Sequence, residues 1–142
     1  MKTPLLTSTT LLLGTLFVFS TVSAEVVIIG HAKSVGTLDA KSAKKLYLGK
    51  TNSISGMASV TLIGQADSSP TKAEFTVKAT KKNLSKYKAY WSKMIFSGKA
   101  VPPKEMANDD EVKAYVASHT DAVGYINASA VDASVKVLLK LP

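Results

Sequence analysis

The residues best suited to chemistry in this chain lie together in Gln65-Ala66-Asp67-Ser68-Ser69-Pro70-Thr71. The stretch follows an apolar run, Val60-Thr61-Leu62-Ile63, and leads into a segment of helical character. Free backbone N–H groups at a helix start, together with the helix dipole, form a ready anion site. The Ser69 and Thr71 hydroxyls are positioned in sequence to add donors. In an open α/β sheet, the carboxyl end of a strand is where ligands usually bind. The same residues also make a plain helix start, with Ser68 or Ser69 as N-cap and Pro70 at the first helical position, where its missing N–H costs nothing. Local sequence alone leaves both readings open.

Other chemistry finds little support. Gly49-Lys50-Thr51 imitates the end of a phosphate-binding P-loop, but the position that needs the first glycine is Lys44. No nucleophile elbow, zinc-binding helix motif or cysteine is present. His31 and His119, the only histidines, lie far apart in sequence. The carboxylates of Asp109-Asp110-Glu111 suggest a metal cluster, yet Asn108 with Glu111 forms a capping-box-like start, and acids favour the positive end of a helix. The expectation is a protein that is not an enzyme and has no cofactor or metal.

The elements that must position the stretch can be read from periodicity. Val26-Val27-Ile28-Ile29-Gly30 is a continuous apolar run and reads as a buried strand. Thr37 is the expected cap of the next helix, with Asp39 in its first turn, Leu38, Ala43, Leu46 and Tyr47 on its buried face, and Gly49 as its stop. Val60 to Ile63 is a second strand. Phe75 and Ala79 share a helical face behind Pro70, and Lys81-Lys82-Asn83 ends that segment. Leu84, Tyr87, Trp91, Met94 and Ile95 recur at helical spacing up to Gly98, a pattern of core rather than of a cofactor box. Pro102-Pro103 breaks the chain. Val112, Tyr115 and Val116 give the next helix its apolar face. Val123 to Ile126 and Val135 to Leu139 are the last strands. Alternation of strands and helices predicts one α/β domain with a mixed, mostly parallel sheet flanked by helices.

Composition narrows the setting. All eighteen basic residues are lysine, against ten acids, for a net charge of +8. Specific nucleic-acid readers lean on arginine for bidentate contacts, so nucleic acid is not an expected partner. The lysines lie along the chain with only short pairs, and read as solvated surface. Met1-Lys2, the apolar Leu5–Val22 run and Val22-Ser23-Ala24 read as a secretory signal peptide over residues 1–24, cleaved after Ala24 to leave residues 25–142 as the mature domain. An uncleaved membrane anchor is the alternative. Export would place the mature protein in the periplasm.

Three segments taken together resemble the substrate-binding proteins of phosphate ABC transporters, and in particular a short, single-lobe form of that periplasmic-binding-protein superfamily. Leu46-Tyr47-Leu48-Gly49-Lys50 resembles the family's I-F-x-G-K helix end. Gln65-Ala66-Asp67-Ser68-Ser69-Pro70-Thr71 is similar to its R-x-D-G-S-G-T phosphate loop, and Ala122-Val123-Gly124-Tyr125-Ile126 to its G-A-I-G-Y-V strand. The resemblance implies a single periplasmic-binding-protein-like lobe that takes phosphate or another small oxyanion at Gln65, Asp67, Ser68, Ser69 and Thr71. Asp67, Ser69 and Thr71 match the family's ligand positions. Gln65 stands where the family has arginine, and Pro70 where it has the second glycine. Arginine supplies charge and fork geometry for phosphate, and proline removes a backbone donor. Affinity is therefore expected to be modest, about −8 to −4 kcal/mol, and restoring Gln65→Arg with Pro70→Gly is expected to tighten phosphate binding at least tenfold, since a charge-assisted bond is worth about 1.5–3 kcal/mol. The implied partners are a membrane transporter or receptor component, or a second copy of the chain. The alternative is an interaction or signalling module that kept the lobe and lost the ligand.

Overall fold

Five strands and four α-helices follow one another in the computed structural model, which describes residues 24–142: β1 Val26–His31, α1 Ala40–Tyr47, β2 Thr61–Gln65, α2 Pro70–Phe75, α3 Leu84–Phe96, β3 Lys104–Met106, α4 Asp109–Ser118, β4 Ala122–Asn127 and β5 Val135–Leu141. A π-helical turn, Thr76–Thr80, extends α2, and a short 3-10 turn, Ala128–Ala130, follows β4. Apart from Ala24, the expected signal peptide lies outside the described residues. Among the described residues no helix is long and apolar enough to cross a membrane.

The strands form one sheet in the order β3-β2-β4-β1-β5. This is the expected α/β lobe with a mixed sheet. Its directions divide evenly: β3–β2 and β2–β4 are parallel, β4–β1 and β1–β5 antiparallel. The continuous apolar run of β1 encodes burial on both faces, which strand direction does not alter. Val26 and Ile28 face a cluster with Tyr47, Phe75 and Tyr125 under α1 and α2, whereas Val27 and Ile29 face Ile63, Val112, Val116 and Ile126 under α4. Period-two alternation thus splits one strand between two cores. Gly124 allows the second core to close, because a Cβ there would lie 2.6 Å from Val112 Cγ1.

Two local expectations change. The cap of α1 is Asp39, whose Oδ1 accepts the Ser42 N–H at 2.6 Å, while Thr37 pairs its backbone with Ser55. A short carboxylate immediately before the first turn reaches that N–H directly. The edge strand β3, three residues long and bearing Lys104 and Glu105, was not predicted; it is too short and too charged to show a strand period.

Candidate functional site

The opening stretch sits where the sheet hands over to α2. Gln65 ends β2, Ser69 is the N-cap of α2 in extended conformation, and Pro70 is its first residue. The Ser69 side chain does not cap its own helix; its hydroxyl instead donates to Gln65 Oε1. Gln65 is fully buried. Its Nε2 donates to Asp109 Oδ1 at 2.7 Å and to the Tyr125 carbonyl at 2.9 Å, and its backbone N–H donates to the Tyr125 hydroxyl at 3.1 Å. Thr71 Oγ1 donates to Asp109 Oδ2 at 3.4 Å. Ser68 is exposed on the rim of an open cleft of about 460 Å³ that Ser69, Thr71, Asn108 and Asp109 also line.

Asp109 therefore sets its own carboxylate before the Thr71 hydroxyl and the Gln65 amide. It lies in the first turn of α4, whose N-cap Asn108 accepts the Glu111 N–H at 3.0 Å. Gln65 at the end of β2 and Thr71 in the first turn of α2 thus converge on one carboxylate of α4. A capping assignment for Asp109-Asp110-Glu111 is correct for the helix but conceals this second task, and no local signal in the sequence places Asp109 beside Gln65.

Asp67 goes elsewhere. Its Oδ1 meets Lys72 Nζ and its Oδ2 meets Lys88 Nζ, both at 2.7 Å, and these ammonium groups, Lys72 first, hold its carboxyl below the ordinary value. Lys72 Nζ also meets Glu105 Oε1 at 2.8 Å. Lys72 is buried at 5 % exposure, although both its partners are largely solvated. This chain of alternating charges ties the loop, α2, α3 and β3 together. It borders a separate cavity of about 270 Å³ that Tyr87, Trp91 and Tyr125 line. The structure thus brings Gln65, Ser69 and Thr71 together with Asp109, keeps Ser68 on the rim, and turns Asp67 to the other side of the loop. Lys72 is the member that sequence reasoning missed; its one signal is a lysine directly after the hydroxyl pair, five positions from Asp67. Among the described residues no three His, Cys, Asp or Glu side chains gather as a metal-ligand group.

Solved structures match this α/β lobe. A Clostridium perfringens protein assigned as a phosphate ABC transporter substrate-binding protein, solved with bound phosphate, matches with a TM-score of 0.62 and 22 % identity over 81 % of this chain and 45 % of its own. PstS from Borrelia burgdorferi matches with a TM-score of 0.60 and 12 % identity over 81 % and 47 %. An ABC-type phosphate transport receptor from Vibrio cholerae matches with a TM-score of 0.54 and 19 % identity over 81 % and 46 %. The chain therefore has the fold of one lobe of these proteins and spans less than half their length. No protein-family profile and no curated protein sequence matches the chain.

Proposed function

We propose that this chain is an exported solute-binding lobe of the phosphate-transporter type, which takes phosphate or a similar small oxyanion weakly at Gln65, Ser68, Ser69 and Thr71 in competition with Asp109. The observation that carries the reading is the convergence of the Gln65 amide and the Thr71 hydroxyl on a carboxylate at the head of α2, in a lobe whose fold matches a phosphate-bound protein. Donors that hold one oxyanion geometry can hold another once the first is moved. Asp67 contributes by anchoring the loop through Lys72 and Lys88 rather than by touching the ligand. A transporter component in the membrane, or a second copy of the chain, would cover the cleft from outside.

Calorimetric titration with phosphate tests this. Wild type should bind with a dissociation constant of about a millimolar, or −4 kcal/mol. Asp109→Ala should bind at least tenfold more tightly, because removal of the carboxylate frees the donors and lifts a like-charge repulsion, and about 1.4 kcal/mol suffices for that factor. If neither protein binds phosphate or sulfate, the oxyanion reading fails. The second reading then stands, an interaction module whose ligand site is closed by its own carboxylate; the full engagement of Ser69 and Thr71 within the protein favours it.

Export follows from the same reading. Signal cleavage after Ala24 leaves β1 whole, since its first paired residue is Val26. Mass spectrometry of the periplasmic fraction should find Glu25 at the N-terminus. A full-length chain in the membrane fraction would establish the anchor instead.

A further inference from the structure

From Thr76 through Lys104 the chain has eight lysines and no acid, while the remaining ten lysines balance the ten acids. The net charge of +8 is therefore matched by the stretch from the π-helical turn through α3 to Lys104, the first residue of β3. The same segment exposes large apolar side chains where α3 ends: Phe96 is 96 % exposed, Val101 85 % and Ile95 53 %. A single exposed apolar residue is ordinary, but three within seven residues concentrate apolar surface at the end of α3. Lys93 lies one turn before Phe96, and Lys50 and Lys99 line the same cleft as Val101. None of these three lysines enters an ion pair among the described residues, whereas Lys78 and Lys88, earlier in the segment, do. Gly98, at a φ of 66°, ends α3, and Pro102-Pro103 stiffens the return, so the tip is held in place.

We propose that this tip, with the exposed Ile95, Phe96 and Val101 and the unpaired Lys50, Lys93 and Lys99, docks the protein on an anionic phospholipid bilayer. Charge complementarity selects the occupant: unpaired ammonium groups suit a diffuse negative surface, and apolar side chains beside them enter the headgroup layer. A side chain as exposed as Phe96 protrudes, which suits a deformable lipid surface. A protein partner would instead be met by anchors seated in pockets. The tip shares no residue with the cleft at Ser69 and Thr71, so the proposal stands apart from oxyanion binding.

Hydrogen–deuterium exchange on the full chain, with and without vesicles, tests the proposal at the residues concerned. Phosphatidylglycerol vesicles should slow amide exchange across residues 95–101, and phosphatidylcholine vesicles should not. Because the readout is confined to the tip, attachment through any other part of the chain does not reproduce it. The pair Phe96→Ser with Val101→Ser, and separately Lys93→Glu with Lys99→Glu, should raise the lipid concentration for half-protection at least tenfold with the melting temperature unchanged. Absence of protection by phosphatidylglycerol overturns the proposal. So does sensitivity to the charge reversals without sensitivity to the apolar changes, which would mean surface charge alone. Equal protection by soluble poly-glutamate, independent of Phe96 and Val101, overturns it in favour of an acidic protein partner.

Discussion

Asp109 changes what a substitution at Gln65 can achieve. From the loop pattern alone, Gln65→Arg with Pro70→Gly should restore phosphate affinity by charge and a backbone donor. Position 65 is fully buried, however, and already faces the Asp109 carboxylate. An arginine there would pair with Asp109, and a buried pair neutralises the charge before any ligand arrives. We expect Gln65→Arg alone to leave phosphate affinity within about threefold of wild type, and Gln65→Arg with Asp109→Ala to tighten it at least tenfold, one charge-assisted bond sufficing. Calorimetry on the two variants decides the point; a tenfold gain from Gln65→Arg alone would show that Asp109 does not compete. The hydroxyl and amide positions of this site were legible in the sequence because they lie within seven residues. Asp109 was not, because its partners lie on other elements, and Lys72 only faintly, because besides the nearby Asp67 it needs Glu105 of β3.

Among the elements, α3 serves α1 more than it serves the sheet. The last carbonyls of a helix have no partner within it. At the end of α1, the Tyr47 carbonyl accepts Trp91 Nε1–H at 3.2 Å and the Tyr87 hydroxyl at 3.3 Å, and the Leu48 carbonyl accepts the Tyr90 hydroxyl at 2.5 Å. Three aromatic donors on one helix thus cap another, and Gly49 lets the chain turn beneath them: a Cβ there would lie 2.8 Å from the Trp91 ring. Of the stripe expected on α3, Tyr87 and Trp91 are buried, while Ile95 at its end is exposed because the helix runs past the core there, and the polar task of the aromatics has no signature in the period. Trp91→Phe should keep most of the packing and lose one hydrogen bond, about 0.5–1.5 kcal/mol. Trp91→Ala should lose both, about 3–5 kcal/mol. Urea denaturation of the two variants measures the difference; equal losses would mean that the indole N–H contributes nearly all of the effect.

For the molecule as a whole, stability in acid depends on carboxylates that bridge elements. Asp132, in the loop before β5, accepts from the Ser134 hydroxyl and backbone, and meets Lys113 of α4 at 3.0 Å. Chiefly the Ser134 hydroxyl, and then Lys113, hold its carboxyl down at about 2 against an ordinary 3.8. A folded-state value below the unfolded one stabilises the protein fully above pH 3.8, and this contribution is lost as pH falls through about 2. The melting temperature of wild type should therefore drop more steeply between those pH values than that of Asp132→Asn. Parallel curves would mean that Asp132 is as free in the folded protein as in the unfolded chain.

Sequence by itself determined the α/β class, the strand at β1, the start of α2 at Ser69-Pro70, the buried face of α3 and the gathering of hydroxyls at one strand-to-helix junction. Each of these depends on residues close together along the chain, where period, caps and breakers act directly. Tertiary structure alone decided that β1 lies antiparallel to β4, that β3 joins the edge beside β2, that Asp67 turns to Lys72 and Lys88, and that Asp109 crosses from α4 to Gln65 and Thr71. A carboxylate carries the same charge wherever the chain leaves it. Which donor it meets depends on how two distant helix ends are brought together, and that follows from closing the two cores on either side of β1.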